Sequence, residues 1–379
     1  MTEWKIPLYK IFTDDEDVEL VNKVIKRGKY WAIGPEIEEF ENALCNYVGS
    51  DYCVAVNSGT SALHAALLSY GIGRNDEVIV PSFSFISTAN SILFVNAKPV
   101  FAEIEEENFG LDPNLVENKI TEKTKAIMPM DYAGQSCKIF ELMEITKKHD
   151  LVLIEDAAEG LGSSINCSSV GSVSDCAIFS FTGNKVMTTG EGGAVVTNSK
   201  EICEKIKLIR SHGRIDSVNY FQNPELSTYV NVGYNWRIPT MSAALGLSQL
   251  SKLPKIIKMR KDNAQYLSSH LSKHKEIQIP SPKSKSDHIY QMYSILLETK
   301  ILRDGLHSFL TSNGIFSKIY FSPIHLTKFY MDKFKTHQGM LPVTENLSER
   351  ILTLPMFPSM TNEEKKLIVD TIDRFFEIT

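Results

Sequence analysis

Short apolar runs alternate with helical patterns through the first two thirds of this 379-residue chain. Each of the clearest runs is predicted to be a strand: 54–56, 77–80, 126–129, 151–154, 177–181 and 194–197. The run 151–154 is apolar throughout, as expected of a central strand in a parallel sheet. A helical run over 61–70 follows the first strand and stops at Gly71. This order predicts an α/β fold with a mostly parallel sheet flanked by helices.

The pattern changes after about residue 250, where charged helical segments and isolated strands predict a smaller α+β unit. The predicted elements are helices over 255–271 and 302–313, the second capped by Gly314, strands over 290–297 and 318–321, and a loop at 283–286. Thr361 and Glu364 form a T-x-x-E capping box, which predicts a last helix ending near Phe376. We therefore expect two parts: residues 1–250, an N-terminal segment with the large domain, and residues 251–379, the smaller domain.

Charge and composition exclude several classes of protein. The formal net charge of −6 argues against a nucleic-acid-binding protein, which would carry a basic excess. Six scattered cysteines without a C-x-x-C pair favour a reducing cytoplasm over a disulfide framework. The N-terminus lacks the apolar segment of a signal peptide. The uncharged stretch 78–97 contains proline, asparagine and four serines, so we interpret it as strand, loop and helix and expect no membrane association.

Polar residues follow two of the predicted strands, at the sheet edge where α/β proteins bind ligands. Ser58, Gly59 and Thr60 lie between a strand and a helix, where hydroxyls and backbone N–H groups can hold a phosphate. Taken alone, these residues favour a simpler interpretation, in which Ser58 or Thr60 is only a helix cap. Asp156 follows the run 151–154 and could pair with a protonated ring nitrogen, or serve as a metal-binding or structural acid.

Lys185 differs from an ordinary surface lysine because it lies among apolar residues and glycines, in SFTGNKVMTTGEGG. Burial would favour the neutral, nucleophilic form of its amine. The chain has no G-x-x-x-x-G-K-[ST] loop, no H-E-x-x-H and no Cys/His cluster, so we expect neither a P-loop nor a metal site. A phosphate cup, an acid for the pyridine nitrogen and a lysine for the aldehyde are together the parts that pyridoxal 5'-phosphate (PLP) requires.

Six blocks of sequence, in the same order, resemble the DegT/DnrJ/EryC1/StrS family of sugar aminotransferases, which belongs to the fold-type I aspartate aminotransferase superfamily. The blocks are WAIGPEIEEFE, VAVNSGTSALHAAL, PSFSFISTANSI, IEDAAEGLGS, SFTGNKVMTTGEGGAVVT and VGYNWRIPTMSAALGLSQL. The resemblance extends from about Ile6 to the C-terminus. It implies a fold-type I α/β structure and PLP as cofactor, with pyridoxamine phosphate (PMP) as its aminated form.

The resemblance also implies a role for each matching residue. Lys185 matches the lysine that bonds to PLP, and Asp156 matches the partner of its ring nitrogen. Gly59, Thr60 and Ser180 match positions that bind the phosphate, and Ser58 lies beside them. Phe85 matches the aromatic residue that stacks on the cofactor ring. Glu159 matches a position near the phenolic oxygen of the cofactor. Many relatives carry glutamine or histidine at the Glu159 position, and a carboxylate there would repel a phenolate. Asn235 matches a residue that reaches the phosphate of a neighbouring subunit, which implies a homodimer with shared sites. Trp31, Pro35 and His325 match positions near the substrate.

The F-x-G-N-K, TTGEGG and GYNWR segments look most like enzymes that aminate C4 of a 4-keto-6-deoxy sugar, such as GDP-perosamine synthases and related UDP-sugar 4-aminotransferases. The predicted reaction transfers an amino group from an amino acid, by family habit L-glutamate, to a nucleotide-linked keto sugar. One alternative is a PLP-dependent sugar dehydratase, a branch in which histidine replaces the lysine. Another is a non-catalytic regulator, which should have lost Lys185, Asp156 or Thr60. The nucleotide, the sugar and the choice of C4 over C3 stay open.

Overall fold

The computed structural model describes residues 4–215, 227–282 and 285–378. Within these ranges the α-helices are α1 (Asp15–Arg27), α2 (Pro35–Val48), α3 (Gly59–Ser69), α4 (Ile86–Phe94), α5 (Pro113–Val116), α6 (Ile139–His149), α7 (Lys200–Arg210), α8 (Thr240–Ser251), α9 (Leu253–Leu271), α10 (Lys300–Ser312), α11 (Lys328–Phe334), α12 (Pro342–Arg350) and α13 (Asn362–Ile378). The strands are β1 (Tyr52–Val56), β2 (Glu77–Pro81), β3 (Lys98–Ala102), β4 (Thr124–Ile127), β5 (Val152–Asp156), β6 (Ser164–Ile165), β7 (Ser168–Ser169), β8 (Cys176–Ser180), β9 (Gly193–Thr197), β10 (Arg214–Ile215), β11 (Thr228–Tyr229), β12 (Ile277–Gln278), β13 (Ser286–Asp287), β14 (Tyr293–Leu297) and β15 (Ile351–Leu354).

A seven-stranded sheet with the order β1-β9-β8-β5-β4-β2-β3 forms the centre of the large domain. The strands from β8 to β3 pair in parallel, whereas β9 runs antiparallel to both of its neighbours. Helices cover the two faces, and the two largest buried apolar clusters lie between the helices and the sheet. The predicted α/β fold with a mostly parallel sheet is therefore confirmed.

The C-terminal elements enclose an apolar cluster of their own. Strands β12, β14 and β15 form an antiparallel sheet that packs with α9, α10 and α13. Ile6, from the N-terminal segment, also lies in this cluster, because its backbone bonds to residues 314 and 316. Thr361 and Glu364 each accept a hydrogen bond from the backbone N–H of the other, so the predicted capping box is confirmed. The division at residue 250 stays a prediction.

Two predictions for the C-terminal part are wrong in detail. Residues 318–321 were expected to form a strand, but only Lys318 bridges to β15. The carbonyl oxygens of Tyr320 and Phe321 are instead taken by the hydroxyls of Tyr132 and Ser348, so they are not available to a neighbouring strand. The expected loop at 283–286 also ends early, because Ser286 begins β13; residues 283 and 284 lie outside the described residues.

The stretch 78–97 forms β2, a loop and α4, as its proline and serines predicted. In the part of the chain that the structure describes, no helix combines the length and the apolar character needed to cross a bilayer.

Candidate active site

A cavity of about 390 Å³ opens at the carboxyl ends of β1, β5 and β8. Its lining includes every residue predicted to contact PLP within one chain: Ser58, Gly59, Thr60, Phe85, Asp156, Glu159, Ser180 and Lys185. These residues come from segments more than a hundred positions apart, and the strand order of the sheet brings them together.

The first turn of α3 forms one end of the cavity. Ser58 caps the helix, since its side chain accepts a hydrogen bond of 3.1 Å from the backbone N–H of Ser61. Thr60 Oγ1 lies 2.9 Å from Ser87 Oγ. Gly59 approaches β8 so closely that a Cβ on it would stand 2.8 Å from the Cβ of Ser180. Backbone N–H groups at a helix N-terminus, surrounded by hydroxyls, form a binding site suited to a phosphate.

Asp156 ends β5 and is 3% exposed. Its Oδ2 accepts a 2.7 Å hydrogen bond from the Thr88 hydroxyl, and its Oδ1 accepts a longer one from the Ala158 N–H. Burial raises the pKa of the Asp156 carboxyl above its ordinary value, and the bond from Thr88 opposes that shift. A cation placed against this carboxyl would favour its ionised form, and the protonated nitrogen of a pyridine ring is such a cation.

Lys185 lies in the loop between β8 and β9, with a side chain that is 12% exposed. Its Nζ is 3.2 Å from Oε1 of Glu159. The second carboxylate oxygen of Glu159 accepts a 3.0 Å hydrogen bond from the Ala133 N–H. Glu159 therefore faces the amine of Lys185, and a backbone N–H holds the carboxylate in that orientation.

The Phe85 ring is 58% exposed and borders the cavity from the N-terminus of α4. Tyr320 and Phe321 also line the cavity. They occupy the segment that was predicted to be a strand, so its irregular backbone places two aromatic side chains at the site.

Four predicted site residues lie outside this cavity. Trp31 is half-exposed, and its indole N–H donates to the Val24 carbonyl. Pro35 is the first residue of α2, and Asn235 is exposed on the surface. His325 is fully buried: its ring contacts Ser82 at 2.7 Å and Glu345 at 3.1 Å. Burial lowers the pKa of His325, and Glu345 opposes that shift. In this chain His325 joins the C-terminal part to the loop after β2.

The sequence did not single out several polar residues that the structure places at the cavity. These are Ser84, Ser87, Thr88, Thr182, Asn184 and Glu191. Thr88 contacts the carboxylate of Asp156, but nothing in its local sequence distinguishes it from any other helical threonine. Only the folded structure, in which Thr88 of α4 reaches Asp156 at the end of β5, reveals its role.

A lysine, a buried acid and a helix N-terminus at the edge of such a sheet define a fold-type I PLP enzyme. The profile of the DegT/DnrJ/EryC1/StrS aminotransferase family matches residues 12–373, and the chain belongs to that family. It is a PLP-dependent aminotransferase. The cavity fits the cofactor, because donors for a phosphate, an acid for the ring nitrogen and an amine for the aldehyde all line it.

Relatives and solved structures agree with this assignment. The chain is 35% identical over 373 residues to the GDP-perosamine synthase of Vibrio cholerae, covering 98% of this chain and 99% of that protein. The solved aminotransferase of pseudoaminic acid biosynthesis from Helicobacter pylori superposes with a TM-score of 0.92 at 31% identity, covering 99% and 100% of the two chains. A putative sugar aminotransferase from Streptococcus pneumoniae, solved in a PLP form, gives a TM-score of 0.91 at 26% identity, covering 98% and 99%.

Proposed function

We propose that this aminotransferase moves an amino group from L-glutamate to a nucleotide-linked keto sugar, at C4 of a 4-keto-6-deoxy sugar. The observation that carries the reaction type is the convergence of Lys185, Asp156 and the α3 N-terminus on one cavity. The substrate class is supported by the relatives, since the similarity to a GDP-perosamine synthase covers nearly the whole of both chains. The nucleotide and the position of amination are the finer parts of the proposal.

Four residues of the cavity have distinct tasks in that reaction. PLP supplies an aldehyde that binds amines and a ring that accepts electrons. With PLP bound, Nζ of Lys185 would pass the proton lost by the α-carbon of the amino donor to the cofactor's C4′ carbon, and in the reverse half-reaction it would pass a proton from C4′ to the sugar carbon that receives the nitrogen. Glu159, 3.2 Å from Nζ, orients the amine for these transfers. Asp156 holds the proton on the ring nitrogen, and Thr88 orients Asp156.

The assembly proposed for this enzyme is a homodimer with shared sites. Asn235 is exposed and does not line the cavity of its own chain, which agrees with a role at the phosphate site of a second copy. The Asn235→Ala variant is expected to bind PLP more weakly although its own cavity is intact. We place the enzyme in the cytoplasm, because its unpaired cysteines suit a reducing compartment.

An absorbance spectrum of the purified protein, recorded before and after glutamate is added, tests the reaction type. The wild-type protein should show a PLP band that glutamate converts to the PMP band, and Lys185→Ala should not show this conversion. Absence of a cofactor band from wild-type protein supplied with PLP would refute the proposal and favour a non-catalytic scaffold.

The sugar is tested next, with the enzyme in its PMP form. The 4-keto and 3-keto forms of GDP-, UDP- and dTDP-linked sugars are added one at a time, and return of the PLP band is measured. Return with a 4-keto-6-deoxy sugar supports the proposal. Return with 3-keto sugars alone would refute the assignment to C4.

A further inference from the structure

The segment just before β14 contacts the Lys185 loop through a buried glutamine. Gln291 is 4% exposed, and its Nε2 donates a 2.8 Å hydrogen bond to the carbonyl oxygen of Asn184. Asn184 immediately precedes Lys185. This bond fixes the backbone from which the lysine side chain extends, and it comes from a segment distant in sequence.

The same segment also fixes the partner of the lysine. Met292 donates its N–H to the carbonyl of Ala133, and Ala133 donates its own N–H to Oε2 of Glu159. Lys185 and Glu159 are in contact at 3.2 Å. Gln291 thus holds the backbone beside Lys185, and Met292 holds the backbone of the residue that binds Glu159.

A buried arginine from α9 anchors this segment. Arg260 is 2% exposed, and its Nη1 donates to the carbonyl oxygens of Tyr290, Gln291 and Met356 at 3.1, 3.3 and 3.3 Å. Burial lowers the pKa of Arg260 to about 10. A guanidinium is costly to bury unless its hydrogens are bonded. Two of the three bonds go to the segment beside the Lys185 loop, and the Arg260 Nε has no hydrogen-bond partner. Loss of that segment's position would therefore leave still more of the buried guanidinium without partners.

We propose that Gln291 and Arg260 are positioning residues that set the distance between the amine of Lys185 and the carboxylate of Glu159. Arg260 fixes the backbone of the segment 290–291, and the Gln291 amide transmits that position to Asn184. Loss of the amide bond frees the lysine loop and exposes the amine. The inference rests on the catalytic role proposed for Lys185, but its test measures the amine itself.

The test compares Gln291→Met with Gln249→Met in the 379-residue chain. Gln249 is a matched control, because it is 1% exposed and its Nε2 donates to the Phe12 carbonyl and to Asp17, on α1. Each protein is treated briefly with acetic anhydride, with and without PLP, and acetylation of Lys185 is quantified by mass spectrometry relative to the other lysines.

The expected result is an acetylation rate at Lys185 that rises about 2- to 10-fold in Gln291→Met, the range that loss of one ordinary hydrogen bond allows. Gln249→Met should match the wild type at Lys185. An unchanged rate in a folded Gln291→Met protein, or an equal rise in both variants, would overturn the proposal.

A second variant covers the case in which Gln291→Met does not fold. Gln291→Leu introduces no charge, and its side chain has no hydrogen to donate to the Asn184 carbonyl, so the same rise at Lys185 is expected. Protection of Lys185 by PLP separates the two proposals. If PLP does not protect Lys185 while the variants still change its rate, the positioning role stands and the proposed function fails.

Discussion

Replacing Gly59 by alanine tests whether the close approach of α3 to β8 forms the phosphate site. The new Cβ would stand 2.8 Å from the Cβ of Ser180 and 3.1 Å from its Oγ. Both Cβ atoms are fixed to regular backbone, so no flexible side chain can relieve the contact. Overpacking of this kind costs about 1–3 kcal/mol. The simplest way to relieve this clash is to move the first turn of α3 away from β8, which would widen the phosphate site.

A widened cup should bind PLP less tightly. If the whole cost falls on the phosphate site, the dissociation constant for PLP rises about 5- to 150-fold, because about 1.4 kcal/mol corresponds to a factor of ten. An absorbance titration of the protein with PLP measures this change, and urea unfolding measures the accompanying loss of stability.

Gly73→Ala is the matched control, because its new Cβ would meet only the Val95 carbonyl, at 3.8 Å. Adding Ser180→Gly to Gly59→Ala removes the clashing Cβ and should restore part of the lost stability. Unchanged PLP binding and stability in Gly59→Ala would refute the steric reasoning. The reasoning would also be refuted if the double variant lost as much stability as the two single variants together.

Three further predictions concern polar contacts. Thr88→Val removes the bond to Asp156 and should weaken PLP binding by about 1–3 kcal/mol; an absorbance titration checks this, and full recovery is expected with Thr88→Ser. Burial and the charge of Glu155 raise the pKa of Asp131 well above its ordinary value, so the folded chain keeps a proton that the unfolded chain releases above about pH 4. The free energy of unfolding should therefore fall as pH rises above about 4. Urea unfolding at a series of pH values should show a smaller fall in Asp131→Asn than in the wild type, and the same dependence on pH in both proteins would contradict this. His325→Leu should lower the free energy of unfolding by about 1–3 kcal/mol and leave KM for the sugar unaltered, whereas a raised KM without loss of stability would place His325 at the substrate.

The sequence predicted those parts of the site that depend on strand ends. Asp156 follows an apolar run, and Lys185 lies between two such runs, so the edge of the sheet could be located before the structure was known. Strand β3 was not predicted, because Lys98 and Pro99 at its start are unfavourable in a central strand. It is an edge strand, where proline is tolerated.

Contacts between distant segments could not be predicted from the sequence. The bond from Thr88 to Asp156 and the bond from Gln291 to Asn184 depend on how elements pack, which local patterns do not specify. The resemblance suggested a place near the sugar for His325, and the structure shows its ring in contact with Ser82 and Glu345; its role at the substrate stays a prediction. Trp31, Pro35 and Asn235 keep their predicted roles as proposals, since those roles involve surfaces outside the cavity of a single chain.

The position of the antiparallel strand β9, between β1 and β8, has a consequence for cofactor binding during synthesis. β9 pairs with β1 and β8, so residue 52 finds its partner at residue 197. Contacts between such distant positions form slowly, because a long loop must close first. The ribosome must release β9 before the Ser58 and Ser180 sides of the phosphate cup can be held together. A nascent chain arrested before β9 should therefore not retain PLP, although it already contains Lys185.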